Sequence, residues 1–484
     1  MKIAFLTLGC KLNYAETSTY QRGFEQAGLE VVPWQQAADI YLINTCSVTA
    51  TSDSKSRNLI RKVHRINPAA RIVVTGCSAQ LRRAEIESID GVWRVFGSAE
   101  KSQVVPETLK SLYGSEGEGA PLLTASLRFG PTADAVPPLM VPRVAQVLRG
   151  APSPSNQSNH SATSEQSRLS ATAEAGMERS GIGRPGAAGD GTGAEPPSIF
   201  GAYGAGDRTR AFLKVQDGCD NHCLYCTVPL ARGNSRNLPI CECVRMAEEI
   251  AATGIKEVVI TGVNTGDFGK TTGESFLDLL KALNAVQGIE RYRISSIEPN
   301  LLGDGIIDWI ASGTKIQPHF HIPLQTGCDE LLSAMGRRYD TAFFESKIST
   351  LRRKLGDGVF IGIDVMVGLP GETDELFART TAFLEKLRPA FIHVFPYSRR
   401  PGTPAASMGG QVSEQVKKQR VAVLEALCSR LHEEFVSSQK GTRVQVLFES
   451  KEKGGTMSGY SGNYIRVTRP YDPSLVGQIT ELEL

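Results

Sequence analysis

Cys219, Cys223 and Cys226 stand in one ten-residue run, DGCDNHCLYC at 217–226, with the spacing C-x3-C-x2-C. Three thiolates on one loop can hold three irons of a four-iron, four-sulfide (4Fe–4S) cube and leave the fourth iron open to a small chelating molecule. A structural zinc site wants four ligands, and here it would need His222 or a distant cysteine to complete it. Cys10, Cys46 and Cys77 form a second set of a different kind. They are far apart in sequence, yet each ends an apolar run: LTLGC, LINTC and VVTGC. Strands of an open parallel sheet end on a shared crevice where ligands bind, so three distant cysteines can converge there. Isolated buried thiols, the usual state of single cysteines, explain poorly why all three take the same structural position. Cys241, Cys243, Cys328 and Cys428 read as structural; the first two are two residues apart at a helix start and point to different helix faces.

The elements that must position these residues are legible in the apolar runs. From residue 1 to about 100, runs such as KIAFLTLG, DIYLINTC and ARIVVTGC alternate with helical segments, the pattern of a parallel sheet covered by helices. From 208 to about 400 there are six strand-like runs: AFLKVQ, KEVVITGV, YRISSI, PHFHIPL, VFIGIDVMVG and AFIHVFPY. With amphipathic helices between them they predict a partial (β/α)6 barrel, whose chemistry belongs at the C-terminal strand ends. The clustered cysteines follow the first of these strands. A helix near 413–439 leads into short strands from Thr442, a small β-barrel of a type that often binds nucleic acid.

The fold class is therefore α/β in four parts. An N-terminal open parallel α/β domain spans 1–143, and a linker spans 144–207. The partial barrel covers 208–440 and the small β domain 441–484. The linker is rich in Ser, Ala, Gly and Pro and buries too little apolar surface to offset chain entropy, so disorder is expected there.

The chain has 484 residues and a net charge of +2, so no global basic field points to nucleic acid, although a local patch suffices. The apolar run Ile3–Leu8 is only six residues long, short for a secretory core, and no stretch reaches the roughly 18 apolar residues of a membrane helix. A cytoplasmic location without membrane contact is expected. Ten cysteines in such a compartment argue for metal ligation or catalysis over a disulfide framework.

QDGCDNHCLYCTVPLARG resembles the signature of radical S-adenosylmethionine (SAM) enzymes, in which the open iron binds the amino and carboxylate groups of SAM. GCKLNYAET, NTCSVT and VTGCSAQ resemble the N-terminal domain of methylthiotransferases. The resemblance covers about 1–100 and 208–484. It implies two 4Fe–4S clusters, one on Cys219, Cys223 and Cys226 and an auxiliary one on Cys10, Cys46 and Cys77. It also implies SAM, a reducing electron donor, a sulfur source and a tRNA substrate.

Further blocks carry the same resemblance. In TGVNTGDFG it implies SAM binding by Gly262, Val263 and Asn264, and in RISSIEP a ribose contact from Glu298. HIPLQTGCDELLSAMGRRY, DVMVGLPGET and HVFPYSRRPGTPA would put Gln325, Arg337, Arg338 and Ser398–Arg400 on the SAM and substrate side. On the residues alone, 261–269 is equally a plain turn, Glu298 a helix start and the arginines a solvated basic face. The basic helix Lys55–Arg65 would touch the tRNA backbone on similar terms. GYSGNYIRV in the tail resembles a TRAM domain, with Tyr460 and Tyr464 available to stack on bases.

TLGCKLNYAET matches the branch that modifies threonylcarbamoyladenosine beside the tRNA anticodon. A branch acting on isopentenyladenosine reads GCQMN at this place, and one acting on a ribosomal-protein aspartate reads GCPKN; these substrates are the alternatives. The implied reaction uses one SAM to methylate sulfur at the auxiliary cluster. A second SAM makes the radical that removes hydrogen from carbon-2 of adenine. No side-chain general base is evident. A reading of another class is a non-catalytic iron–sulfur RNA-binding protein. The chain departs from the family pattern in its long linker and in Asn237, where serine is usual.

Overall fold

Strands β1 (Lys2–Thr7), β2 (Glu30–Val31), β3 (Ile40–Thr45), β4 (Arg71–Gly76) and β5 (Val92–Val95) form a parallel sheet of order β2-β1-β3-β4-β5. The computed structural model describes residues 1–113, 199–206 and 208–484, and these form one compact unit. Every position of β3 is buried, which is why IYLINT runs apolar without alternation. Helices α1 (Lys11–Gln26), α2 (Ala50–Ile66) and α3 (Cys77–Leu81) follow β1, β3 and β4. The hydroxyl of Thr49 starts α2 by accepting the Ser52 N–H at 3.1 Å.

The described chain resumes at 199, eight residues before the expected end of the linker, and this boundary needs correcting. Ile199 and Phe200 are buried, and Phe200 stacks on Tyr20 at 5.1 Å between ring centroids. The strand β6 (Ala202–Gly204) then pairs antiparallel with β7 (Arg210–Lys214). IFGAY supplies the bulky apolar groups that the rest of that stretch lacks. The remainder of the expected linker, 144–198, and residues 114–143 of the first expected domain lie outside the described residues.

A two-stranded ribbon, β8 (Gln216–Asp217) with β9 (Arg236–Asn237), brackets the clustered cysteines. Strands β10 (Glu257–Thr261), β11 (Arg291–Ile294), β12 (His319–Gln325), β13 (Phe360–Val367) and β14 (Phe391–Pro396) follow. They lie in two sheets, β11-β10-β7-β6 and β12-β13-β14, joined by single bridges at Tyr292–Ile316 and Ser296–His321. The six parallel strands β7 and β10–β14 make the partial barrel. Phe320, Ile322 and Leu324 are fully buried in the core with the helices, so His319 and His321, alternating with them, face the lumen.

The helices of the five-stranded sheet reach both margins of this incomplete barrel. On one margin, Thr19 and Arg22 of α1 donate to the Tyr203 carbonyl at 3.2 and 2.9 Å, and Tyr14 meets Phe212 edge-on at 5.4 Å. On the other, Arg400, just past β14, donates to Asp53 of α2 at 2.5 Å.

After the helix Glu414–Ser438 come β15 (Arg443–Lys453), β16 (Thr456–Ser461), β17 (Arg466–Pro470) and β18 (Ile479–Glu483), an antiparallel sheet of order β17-β16-β15-β18. The run MSGYSGNYIRVTR lies across β16 and β17. The chain turns between them, with Tyr464 in the left-handed region at φ 64°. Tyr464 packs under the barrel, its ring 4.4 Å from His319 and its hydroxyl accepting from Arg210 at 3.1 Å. It is not presented for a base, and Tyr460 is half-buried against it. No helix among the described residues is long and apolar enough to cross a membrane.

Candidate active site

Cys10, Cys46 and Cys77 sit at the C-terminal ends of three adjacent strands, β1, β3 and β4. The Asn13 amide pins two of the strand ends together, donating to the Leu8 carbonyl at 2.8 Å and the Thr45 carbonyl at 2.9 Å. The backbone approach is close. Gly9 has φ 103°, and a Cβ there would lie 2.7 Å from the Cβ of Cys46 and 2.9 Å from its sulfur. Gly76, at φ 99°, would place a Cβ 2.3 Å from the Thr45 carbonyl. Only glycine allows both the dihedral and the contact. Burial pushes the Cys46 thiol up, and the nearness of Cys77 and Cys10 adds to the shift.

The second trio occupies the loop between β8 and the helix Val228–Arg232. Three donors point at its sulfurs. The Asn221 N–H reaches Cys219 at 3.4 Å, the Val228 N–H reaches Cys226 at 3.4 Å, and an Arg337 N–H reaches Cys223 at 3.2 Å. Burial, with Asp267 and Cys223 nearby, nevertheless raises Cys219 to about 11, and burial with the other two thiols raises Cys226 to about 12. As free thiols they stay protonated at neutral pH. The donors favour the anionic form, so the loop suits a cation that takes three thiolates and displaces their protons.

The strand-end rim closes around this loop. Gln216 donates to the Gly218 carbonyl and the Ser235 hydroxyl, both at 2.8 Å, and accepts the Asn264 N–H at 3.0 Å. It thereby ties the cysteine loop to the turn of Gly262, Val263 and Asn264. The Asn264 Nδ2 is buried without a partner among the described residues. Glu298 accepts from Arg337 at 2.5 Å, and Arg337 also donates to the hydroxyls of Tyr339 at 2.7 Å and Tyr225 at 3.2 Å. A small pocket is lined here by Asn221, Cys223, Glu298, Asn300, Gly336, Arg337 and Arg338. Gln325 ends β12 at a register shift and is left-handed at φ 76°, a costly conformation for a non-glycine residue. Neither Gln325 nor the Val263 side chain bonds to the cysteine loop among the described residues.

The arginines divide. The Arg337 side chain is buried and belongs to the cysteine rim. Arg338 is exposed beside the pocket. Arg400 is buried too, donating to Ser47 at 2.9 Å as well as to Asp53, so it is not part of a solvated basic face. Its Nε and Nη1 lack partners among the described residues, while its Nη2 holds Ser47, the residue after Cys46. In α2, Lys55, Arg61 and Arg65 are exposed.

A buried ionic network that the sequence did not announce links the two trios. Glu16 accepts from Lys101 and Lys214 at 2.7 Å each and from Arg232 at 3.4 Å. Asp217 accepts from Lys214 at 2.7 Å, Arg232 at 2.8 Å and Lys101 at 3.4 Å. Arg232 also donates to Asn13 at 2.5 Å. Asn13 touches the Cys10 sulfur at 3.7 Å, and Asp217 lies two residues before Cys219. Burial alone would raise Glu16, but Lys101, Lys214 and Arg232 outweigh it and hold the carboxyl well below its usual range. For Asp217 the same cations overcome burial in the same direction. The one hint in sequence is Lys214 inside the apolar strand AFLKVQ.

Comparison with known proteins follows these landmarks. Residues 2–97 match the family described as "Uncharacterized protein family UPF0004", and residues 213–384 match the radical SAM superfamily. A threonylcarbamoyladenosine tRNA methylthiotransferase of Bacillus subtilis is 34% identical over all of this chain and 93% of its own length. The chain belongs to the radical SAM methylthiotransferase family. A protein of the same name from Thermotoga maritima is 32% identical over 95% of this chain and 89% of its own. The tRNA-2-methylthio-N(6)-dimethylallyladenosine synthase of Opitutus terrae, at 29% over 100% and 95%, shows that the family's other tRNA branch is also similar. Among solved structures, the radical SAM methyltransferase TsrM of Kitasatospora setae shares the fold, with TM-score 0.50 and 17% identity over 84% of this chain and 77% of its own.

Proposed function

We propose that this protein adds a methylthio group to carbon-2 of threonylcarbamoyladenosine next to the tRNA anticodon. The observation that carries the reading is the pair of cysteine trios, one at the ends of three parallel strands and one on the loop that follows the first barrel strand and its short ribbon, joined through one buried network. The names of the relatives in Bacillus and Thermotoga support the substrate.

Cys219, Cys223 and Cys226 would hold one 4Fe–4S cluster, and Cys10, Cys46 and Cys77 the other. The N–H groups aimed at three sulfurs fit anionic thiolates at the first place, and Arg400, which holds Ser47 next to Cys46 and has two donors free among the described residues, brings positive charge to the second. When bound, the clusters and SAM supply a substrate radical and the sulfur that it takes up.

The chain's own residues orient and enclose. Gly262 and Val263 would offer backbone atoms to the SAM amino group, and the free Asn264 amide would donate beside them. Glu298, held by one oxygen to Arg337, keeps the other for a ribose hydroxyl. Gln325, aimed by its bulge, completes the rim. The exposed cations of α2 and the C-terminal sheet would take the tRNA backbone, in a cytoplasmic setting with a reductant and a sulfur source. Mass spectrometry of tRNA nucleosides tests the reading. A strain lacking this chain should lose the methylthio derivative of threonylcarbamoyladenosine and regain it on complementation. Persistence of the mark in a strain with no second such enzyme would contradict it.

A further inference from the structure

Lys11, the first residue of α1 and the neighbour of Cys10, has a place that the proposed function has not used. It lies within electrostatic reach of Arg210, Arg293, His319, Asp364 and His393. These residues belong to five different strands of the barrel, and one side chain meets all five only from the lumen. Lys11 keeps access to solvent, and no hydrogen bond or ion pair joins it among the described residues. The neighbouring lumen cations are already matched. Arg210 is paired with Glu449 at 2.9 Å and Arg293 with Glu257 at 2.8 Å. The nearest carboxylate, Asp364, is bonded to His321 at 2.7 Å, and Lys11 itself makes no ion pair among the described residues.

Flat rings and a hydrogen-bonded pair line the barrel near it. His321 is bonded to Asp364 at 2.7 Å, and His393 stacks on His321 with ring centroids 5.0 Å apart and planes 7° from parallel. The three side chains are close enough to consider as metal ligands. But parallel rings do not aim their lone pairs at one point, and Asp364 already takes His321 Nε2. Phe395, 47% exposed two residues along β14, extends the flat surface. An aromatic wall, a His–Asp pair for a hydroxyl and an unpaired ammonium describe a nucleoside that carries a hydroxy acid.

We propose that Lys11 determines substrate specificity by pairing its ammonium with the threonine carboxylate of the N6 group. The His321–Asp364 pair and His393 form the opposite wall. The proposal rests on the threonylcarbamoyladenosine reading above.

The test uses the full chain loaded with both clusters and two anticodon stem-loop RNAs. One carries threonylcarbamoyladenosine as the free acid, the other as its methyl ester. The acid-to-ester ratio of kcat/KM is internal to each preparation, so partial cluster loading cancels. Wild type should prefer the acid by about tenfold to a hundredfold, the range for hydrogen bonds to a charged group. Lys11→Gln and Lys11→Met should bring the ratio near one, and Lys11→Arg should keep it. A Lys11→Gln ratio equal to wild type, or a wild-type ratio of one, overturns the proposal while leaving the methylthiotransferase reading intact. A Lys11→Arg ratio as flat as that of Lys11→Gln indicates a structural role and overturns it as well. Wild type that modifies neither RNA overturns the functional reading and this inference with it.

Discussion

Replacing Glu16 by Gln tests whether the buried network holds the two cysteine sites together. Glu16 is fully buried and faces Lys101, Lys214 and Arg232, with Asp217 as the only other carboxylate of the network. The wild-type network sets three cations against two anions; the variant leaves three against one. Removing one partner of a buried pair costs about 3–5 kcal/mol, because the remaining charges stay buried without compensation. That converts to an opening equilibrium shifted by about a hundredfold to a few thousandfold. Native-state hydrogen exchange reads this directly: the amides of α1 and of Arg210–Asp217 should exchange faster by that factor, and those of the distant helix Glu414–Ser438 should not. Glu16→Gln with Lys214→Met restores the charge difference and should recover part of the protection. The pH dependence follows from the sign of the shifts. Glu16 and Asp217 are depressed in the folded chain, so their contribution is complete above about pH 4.5 and fades as pH falls toward their folded values. The variant should therefore show a shallower acid slope. Unchanged exchange in α1 would refute the reasoning.

Arg337→Lys cannot bridge Cys223 and Glu298 as the guanidinium does; SAM affinity by calorimetry should fall about tenfold with iron content maintained, and an unchanged affinity would show that Glu298 is positioned some other way. In the cluster-free chain, Cys219 and Cys226, raised by burial to about 11 and 12, should alkylate about tenfold faster per pH unit between pH 7 and 10; peptide mass spectrometry gives the rates, and a flat profile would contradict the raised values.

Much of the fold was legible because backbone periodicity and apolar runs are local signals. All six barrel strands and the three cysteine-bearing strand ends can be read from runs of five to ten residues. The candidate site was legible only where chemistry sits on one loop or repeats at strand ends. The network was not, because Glu16 and Arg232 are 216 positions apart and a charged residue on a helix reads as solvated until its partners are known. Arg400 escaped for the same reason: its acceptors, Ser47 and Asp53, come from the loop after β3 and from α2, 353 and 347 positions away. The linker boundary was blurred because the apolar IFGAY was averaged into a Ser- and Gly-rich window. Tyr464 could not be assigned to the underside of the barrel from a nine-residue motif.

Iron and acid-labile sulfide per chain, measured after anaerobic reconstitution, test the central claim of two separate thiolate tripods most directly. The account predicts about eight irons and eight sulfides per wild-type chain. Each triple variant, Cys10/Cys46/Cys77→Ala or Cys219/Cys223/Cys226→Ala, should retain about four irons. Four irons in the wild-type chain, or eight in either variant, would contradict it.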